Sequence, residues 1–370
     1  MELLYYVFLS LFTLLIAKLC FQLKYKKNLP PTPLALPIVG HLHLLKKPLH
    51  KSLQTLTEKY GPIIFLKFGS IPVLVVSSTS AVEECFTKND IVFANRGHSV
   101  AGDHVSYNYS VLGWVPYGHQ WRNLRRITAV QTFSTYSLQR SECIRNEEVR
   151  YFTRGLFDIT KGESQKVDLK TTFSELAFNV IMMGIAGKRC FESGMDKEEE
   201  MCLLVYLKET YVPVITMELG DFFPALRRVF FRGADNRMEK LQKEREIFNQ
   251  DLIDECRRKN DISMKKKCMI DNLLSLQKAD PEQYSDDTIK GLIMTMLTAG
   301  TDTTAITMEW AMALLVNHPE VLHKASSEIE RNIQHGRLLE ESDLPKLPYL
   351  NCIVNETLRL YPVGPLLIPH

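Results

Sequence analysis

The sequence predicts a large, mostly helical fold with a small β portion. Three observations point there. Apolar residues recur at helical spacing over most of the chain. One β-branched stretch, Pro62–Ser78, reads as a hairpin around a Gly-Ser-Ile-Pro turn. Strands do not alternate with helices, and no Gly-x-Gly-x-x-Gly is present, which excludes a doubly wound nucleotide fold.

The elements follow in order. Leu3–Leu23 is largely apolar with Lys18 its only charge, and Lys24, Lys26 and Lys27 follow it. It approaches the roughly 20 residues that span a bilayer, and the lysines place the C-terminal bulk in the cytosol. Residues 1–23 are therefore expected to be a transmembrane anchor. A basic n-region and a cleavage site, which a signal peptide needs, are missing. Residues 24–40, with Pro30, Pro31, Pro33 and Pro37, read as a stiff hinge. Residues 41–370 are expected to form the main domain. Beyond the hairpin, helical patterns fall around 80–87, 119–133, 136–157, 169–186, 198–211, 235–259, 268–278, 319–334 and 346–360.

The 370 residues are 45% hydrophobic, enough for a sizeable core, and the net charge of +2 gives no reason to expect nucleic acid. The eight cysteines are scattered without Cys-x-x-Cys or zinc-type spacing, and read as reduced thiols.

The most informative stretch is GLIMTMLTAGTDTTAITMEWAMALL, Gly291–Leu315. Ser285, Asp286 or Asp287 can cap its helix and Asn317-His318-Pro319 ends it, giving about 30 residues or roughly 45 Å. Yet Gly300 and Thr301-Asp302-Thr303-Thr304, poor helix formers, sit at its centre. On a 100° wheel, Gly300, Thr303 and Thr304 share the face of Ile289, Leu292, Ile293 and Met296. A buried face with a glycine notch and hydroxyls offers room and a proton donor. The plainer reading is a helix whose threonines bond back to the carbonyl four residues earlier.

Two other helices carry chemistry. Glu356 and Arg359 stand three apart among apolar flanks, which predicts a buried, mutually neutralised pair. Trp121 and Arg125 stand one turn apart in YGHQWRNLRRI. They could hold an anionic group, or belong to a basic surface helix near headgroups or an acidic partner.

The order of these features is more specific than any one of them. An apolar N-terminus, Pro-Pro-x-Pro, WRNLR, AGTDTT and ETLRLYP together resemble the microsomal cytochrome P-450 monooxygenases, and FANR, YGHQWRNLRRI and PLLIPH resemble the plant flavonoid and isoflavonoid hydroxylases. The resemblance implies haem b and electrons from NADPH-cytochrome reductase. It also implies an endoplasmic reticulum membrane and a small aromatic substrate. By it, Gly300 leaves a groove for dioxygen, Thr303 helps deliver protons, and Asp302 feeds that relay. Trp121, Arg125 and His370 hold haem propionates, and Glu356–Arg359 braces the core. The segments 97–118, 205–224 and 363–368 line substrate. Gly97 stands where proline is more usual.

The family's iron ligand is a cysteine in a Phe-x-x-Gly-x-Arg-x-Cys-x-Gly loop beyond the Glu-x-x-Arg helix. None of the eight cysteines has that context, so no axial metal ligand is assigned. Two readings stay open: part of a longer working monooxygenase, or a truncated product that is at most a membrane-tethered binding or decoy protein. For the 370 residues alone the expectation is weak or no haem, poor stability and a frayed His370. A non-enzymatic helical membrane adaptor is the reading unrelated to this family.

Overall fold

A computed structural model describes residues 29–107, 109–160, 165–192, 219–230, 232–260, 268–334 and 336–370, with a few isolated positions elsewhere. The expected anchor, the 24–28 part of the hinge and nearly all of the expected 198–211 helix lie outside these residues. No helix among the described residues is long and apolar enough to cross a membrane. The chain divides into two compact units, the described part of Met1–Asp90 with Phe222–Ala225, and Ile91–Asp221 with Leu226–His370.

The first unit is built on the hairpin. Strands β1 (Ile63–Phe68) and β2 (Ile71–Val76) pair antiparallel, from Ile63 opposite Val76 to Phe68 opposite Ile71. Alternation along β1 turns Ile64, Leu66 and Phe68 inward, where they pack with Leu53 of helix α1 (Leu49–Tyr60). The turn is tighter than expected: Gly69-Ser70 makes it, while Ile71 and Pro72 belong to β2. Gly69 holds φ at +59°, and an added Cβ would strike the Phe222 carbonyl. Only glycine takes this conformation without strain. Helix α2 (Thr79–Phe86) follows, its first turn capped by the Ser78 hydroxyl, which accepts from Ala81 N–H at 3.3 Å.

From Pro31 on, the segment expected as a hinge is fastened to β1. Phe65 N–H donates to the Pro31 carbonyl at 3.0 Å and His41 N–H to that of Lys67 at 2.7 Å. Lys67 N–H donates in turn to His41 Nδ1 at 2.7 Å.

The second unit is helical. Its elements are α3 (Val100–Val105), α4 (His119–Thr128), α5 (Thr135–Thr160) and α6 (Leu169–Ala186). Two short helices, Leu219–Phe222 and Pro224–Phe230, come before α7 (Arg232–Asn260) and α8 (Met269–Gln277). Then follow α9 (Asp286–Gly300), α10 (Asp302–Asn317), α11 (Pro319–Asn332) and α12 (Pro348–Leu360).

Helix α6 is the hub. Asp168 caps it and Gly187, left-handed, ends it, matching the sequence reading. It packs against α5, α8, α9 and α10. Phe178, Met182 and Ile185 enter one core with Ile253 of α7, Ile270 and Leu273 of α8, and Ile289 and Ile293 of α9. Each such fully buried aliphatic side chain contributes about 1.5–3 kcal/mol.

Candidate active site

The long apolar stretch is two helices, not one. Ser285 caps α9, its hydroxyl accepting from Thr288 N–H, and α9 ends at Gly300; Thr301 (ψ −71°) separates it from α10. The two halves face the core differently. Helix α9 is buried nearly all round, from Ile289 to Leu297. Helix α10 buries Ala305, with Met308 and Met312 packed beside it, against Phe173 and Ala177. That stripe lies roughly 100–160° round from Ile289 on the wheel. Thr303 and Thr304, expected on the buried face, are exposed. The expectation fails because a single wheel assumes one helix and one packed face.

The Thr303 hydroxyl donates to the Ala299 carbonyl at 2.6 Å, and Thr307 does the same to Thr303 at 2.8 Å. This is the back-bonding that bends helices. Asp302 is half-buried in the first turn of α10, where a carboxylate complements the helix dipole. Gly300 does not face an open groove. A Cβ there would stand 2.7 Å from Ile181 Cδ1, so the glycine lets α9 approach α6. The hydroxyls of Thr298 and Thr301, flanking it, are buried without a hydrogen-bond partner among the described residues. Each such orphan costs about 1–3 kcal/mol and marks a place for water or a ligand atom.

A cationic group forms elsewhere in this unit. Helix α4 buries Leu124, Ile127 and Thr128, which turns Arg122, Arg125 and Arg126 outward. The Arg125 guanidinium lies 5.3 Å from the centre of the Trp121 ring, and the Tyr117 ring meets the same indole at a tilt of 46°, centres 5.4 Å apart. Tyr117 N–H donates to Asn95 Oδ1 at 2.8 Å, which ties α4 to the segment Phe93–Arg96. That segment also holds the end of the chain. Arg96 donates to the carbonyls of Ile368 at 3.0 Å, Pro369 at 3.4 Å and Gly113 at 3.3 Å. His370, expected to fray, is held by a 2.7 Å bond from its Nδ1 to the Phe93 carbonyl.

This bond bears on the role expected of His370. A carbonyl only accepts, so Nδ1 carries the proton, and neutral imidazole then offers an acceptor at Nε2. Burial and the Arg96 charge both hold the ring below its usual pKa. The permanent cation at this position is Arg96, whose own pKa burial lowers from a value far above neutrality. Sequence reading missed it because its partners lie 272 and 273 residues away. The FANR tetrapeptide was the available signal.

Glu356 and Arg359 pair as expected, with two 2.7 Å bonds, but the pair is exposed rather than buried. Of helix α12 only Thr357 is buried. Apolar flanks signal burial only where another element covers them. Trp121 and Arg125, with His370 through Phe93–Arg96, share one network; Thr303 and Glu356–Arg359 stand outside it.

The family model described as Cytochrome P450 matches residues 30–370. The chain belongs to the cytochrome P450 family. These are haem-dependent monooxygenases, a class of oxidoreductase. The chain is 47% identical to cytochrome P450 81Q32 of Catharanthus roseus, over 99% of this chain and 73% of that relative. It is 44% identical to an isoflavone 3'-hydroxylase of Medicago truncatula, over 99% and 74%. With an isoflavone 2'-hydroxylase of the same plant it shares 41%, over 100% and 75%. A mainly helical chain with a small antiparallel sheet is consistent with the P450 fold.

The residues present suit one edge of a haem. Propionates are carboxylates, which arginine and indole N–H donors bind. Arg96, Arg125 and Trp121 supply those groups, and the orphaned Thr298 and Thr301 hydroxyls give polar contact points beside the α9–α10 junction.

Proposed function

We propose that this P450 hydroxylates a small aromatic, flavonoid- or isoflavonoid-like substrate, using NADPH and dioxygen. Electrons come from NADPH-cytochrome reductase at the endoplasmic reticulum membrane. Residues 1–23 would be its single-pass anchor, with the catalytic domain cytosolic. Support for the substrate class comes from isoflavone hydroxylases among its relatives.

Haem iron, when bound, supplies oxygen activation, and thiolate ligation favours cleavage of the O–O bond. Arg96, Arg125 and Trp121 would hold the propionates. Thr303 holds a proton at its hydroxyl on the open face of α10, one turn beyond Ala299. Asp302 stands next to it and exchanges protons with solvent. The segments 97–118 and 363–368 border the substrate, with Arg96 joining them through its bonds to Gly113, Ile368 and Pro369. Most of the 205–224 segment expected to help lies outside the described residues.

The carrying observation is the exposed Thr303 hydroxyl directly after the helix break. In membranes containing the protein and its reductase, Thr303→Ala should raise peroxide formed per NADPH while hydroxylated product falls. Unchanged coupling removes Thr303 from the relay. A panel of isoflavones and flavones tests the substrate class by the appearance of product with one added oxygen. Alkaline carbonate tests the anchor, because release of the intact chain into the supernatant would refute it.

A further inference from the structure

A second chemical cluster lies in the helical unit, unused by the reading above. Cys256 sits near the end of α7 and Cys268 immediately precedes α8; Asp271 lies in the first turn of α8. The two sulfurs are 3.9 Å apart. An oxygen of the Asp271 carboxylate and both sulfurs all lie within 4.8 Å of one another. Cys256 is 2% exposed and Cys268 7%, while Asp271 is half-buried and gives the cluster its side toward solvent. The carboxylate is oriented by the Cys268 N–H, which donates to Asp271 Oδ2 at 2.9 Å. A carboxylate has further lone pairs to offer.

Three chemistries compete for this geometry. A disulfide needs sulfurs about 2.0 Å apart, whereas Cys256 and Cys268 are free thiols at 3.9 Å. A plain sulfhydryl contact accommodates the 3.9 Å separation, with the Asp271 carboxylate beside it capping α8 through the Cys268 N–H. A tetrahedral cation with bonds of about 2.3 Å to thiolates holds its sulfurs about 3.8 Å apart and takes a carboxylate as third ligand. The observed separation matches that spacing, and the carboxylate already stands at the pair's side as the third ligand such a cation takes.

We propose that Cys256, Cys268 and Asp271 form a site for a divalent, thiophilic cation of the zinc class, with a fourth position left to water. The balance is simple. The cation replaces two S–H protons, which leave to solvent, and two thiolates and one carboxylate then carry one net negative charge against the metal. No electron moves. The thiolate is the form that ligates, so metal binding is coupled to release of the two thiol protons. The site joins the end of α7 to the start of α8, and α8 packs on α6. Its role is to staple these helices, apart from haem chemistry.

The test is anaerobic titration of the reduced protein with cobalt(II), whose thiolate complexes show ultraviolet charge-transfer absorption. Saturation at one equivalent is expected, with displacement by zinc. Cys256→Ala should abolish the absorption, and replacing the exposed Cys143 by alanine should not. Asp271→Asn, which keeps an acceptor for the Cys268 N–H, should keep a thiolate band but bind about tenfold more weakly. Should Cys256→Ala fail to fold, the wild-type titration and the Asp271→Asn comparison still decide. Absence of thiolate absorption in the reduced wild type overturns the proposal. So does equal absorption in a folded Cys256→Ala variant, or affinity indifferent to Asp271→Asn.

Discussion

Helices α9 and α10 come from one apolar stretch yet live in different surroundings. Eight residues of α9 are buried, including Lys290, which reaches Glu246. Of α10 only Ala305 is. Composition does not separate them, since both are rich in Met, Leu and Thr. What differs is how much of each helix's circumference is covered: α9 lies inside the main core against α6 and α7, whereas α10 touches α6, α11 and α12 yet keeps an open side. Apolarity states what a helix could bury; packing partners decide what it does bury.

The largest effect should come from opening a cavity in the enclosed half. Ile293→Ala removes a fully buried side chain and should cost about 2–5 kcal/mol. The matching truncation in the open half, Val316→Ala, removes a side chain 66% exposed and should stay within about 0.5 kcal/mol. Urea midpoints of the two variants test the contrast directly, and equal losses would break it.

The same contrast divides the ion pairs. Glu148 is 1% exposed, and Arg189 donates to both its oxygens at 2.9 Å while lying over the Tyr151 ring. Arg189→Ala strands a buried carboxylate and should cost about 3 kcal/mol. Glu356→Gln breaks a pair of equally good geometry in solvent, where exposed pairs contribute little, and should leave the urea midpoint unmoved. A large loss at Glu356 would mean that α12 is covered in solution.

These contrasts also show what the sequence carried. The hairpin, the limits of α6 and the Ser285 cap were legible because turn residues, caps and periodicity are local. So were the chemical types at Trp121, Arg125, Thr303 and Glu356–Arg359. Burial of the last two was misread, because it depends on elements distant in sequence. The partners of Arg96 and the Cys256–Cys268 approach were invisible for the same reason: FANR marks Arg96 itself, but nothing in the local spacing of either announces its partner.

The seam between the two halves offers a smaller, sharper test. Gly300→Ala gains helix propensity but drives a Cβ into Ile181, for a net loss of about 1–2 kcal/mol. Ile181→Val shortens the obstructing side chain. The double variant should recover about 1 kcal/mol relative to the sum of the singles. Strict additivity would show that Gly300 serves something other than the approach of α9 to α6.

The smallest effect concerns a carboxylate between the two extremes of exposure. Asp235, in the first turn of α7, accepts from Arg227 at 2.5 Å and pairs with His104 at 2.9 Å, and about a quarter of its side chain is exposed. The hydrogen bonds from Arg227 hold its pKa below the ordinary value, outweighing the burial penalty, and the bond from His104 adds to the effect. A folded pKa below the unfolded value, about 3.9, means the folded state prefers the charged carboxylate. The resulting stability is complete above about pH 5 and is lost as pH falls through the depressed folded value. Partial exposure limits it to about 1 kcal/mol or less. The wild type should therefore exceed Asp235→Asn by a constant margin near neutrality, and the margin should shrink below about pH 4. A margin that grows on acidification would mean that Asp235 titrates upward in the fold. The carboxylate would then belong with the enclosed half of the comparison, where burial rather than pairing governs charge.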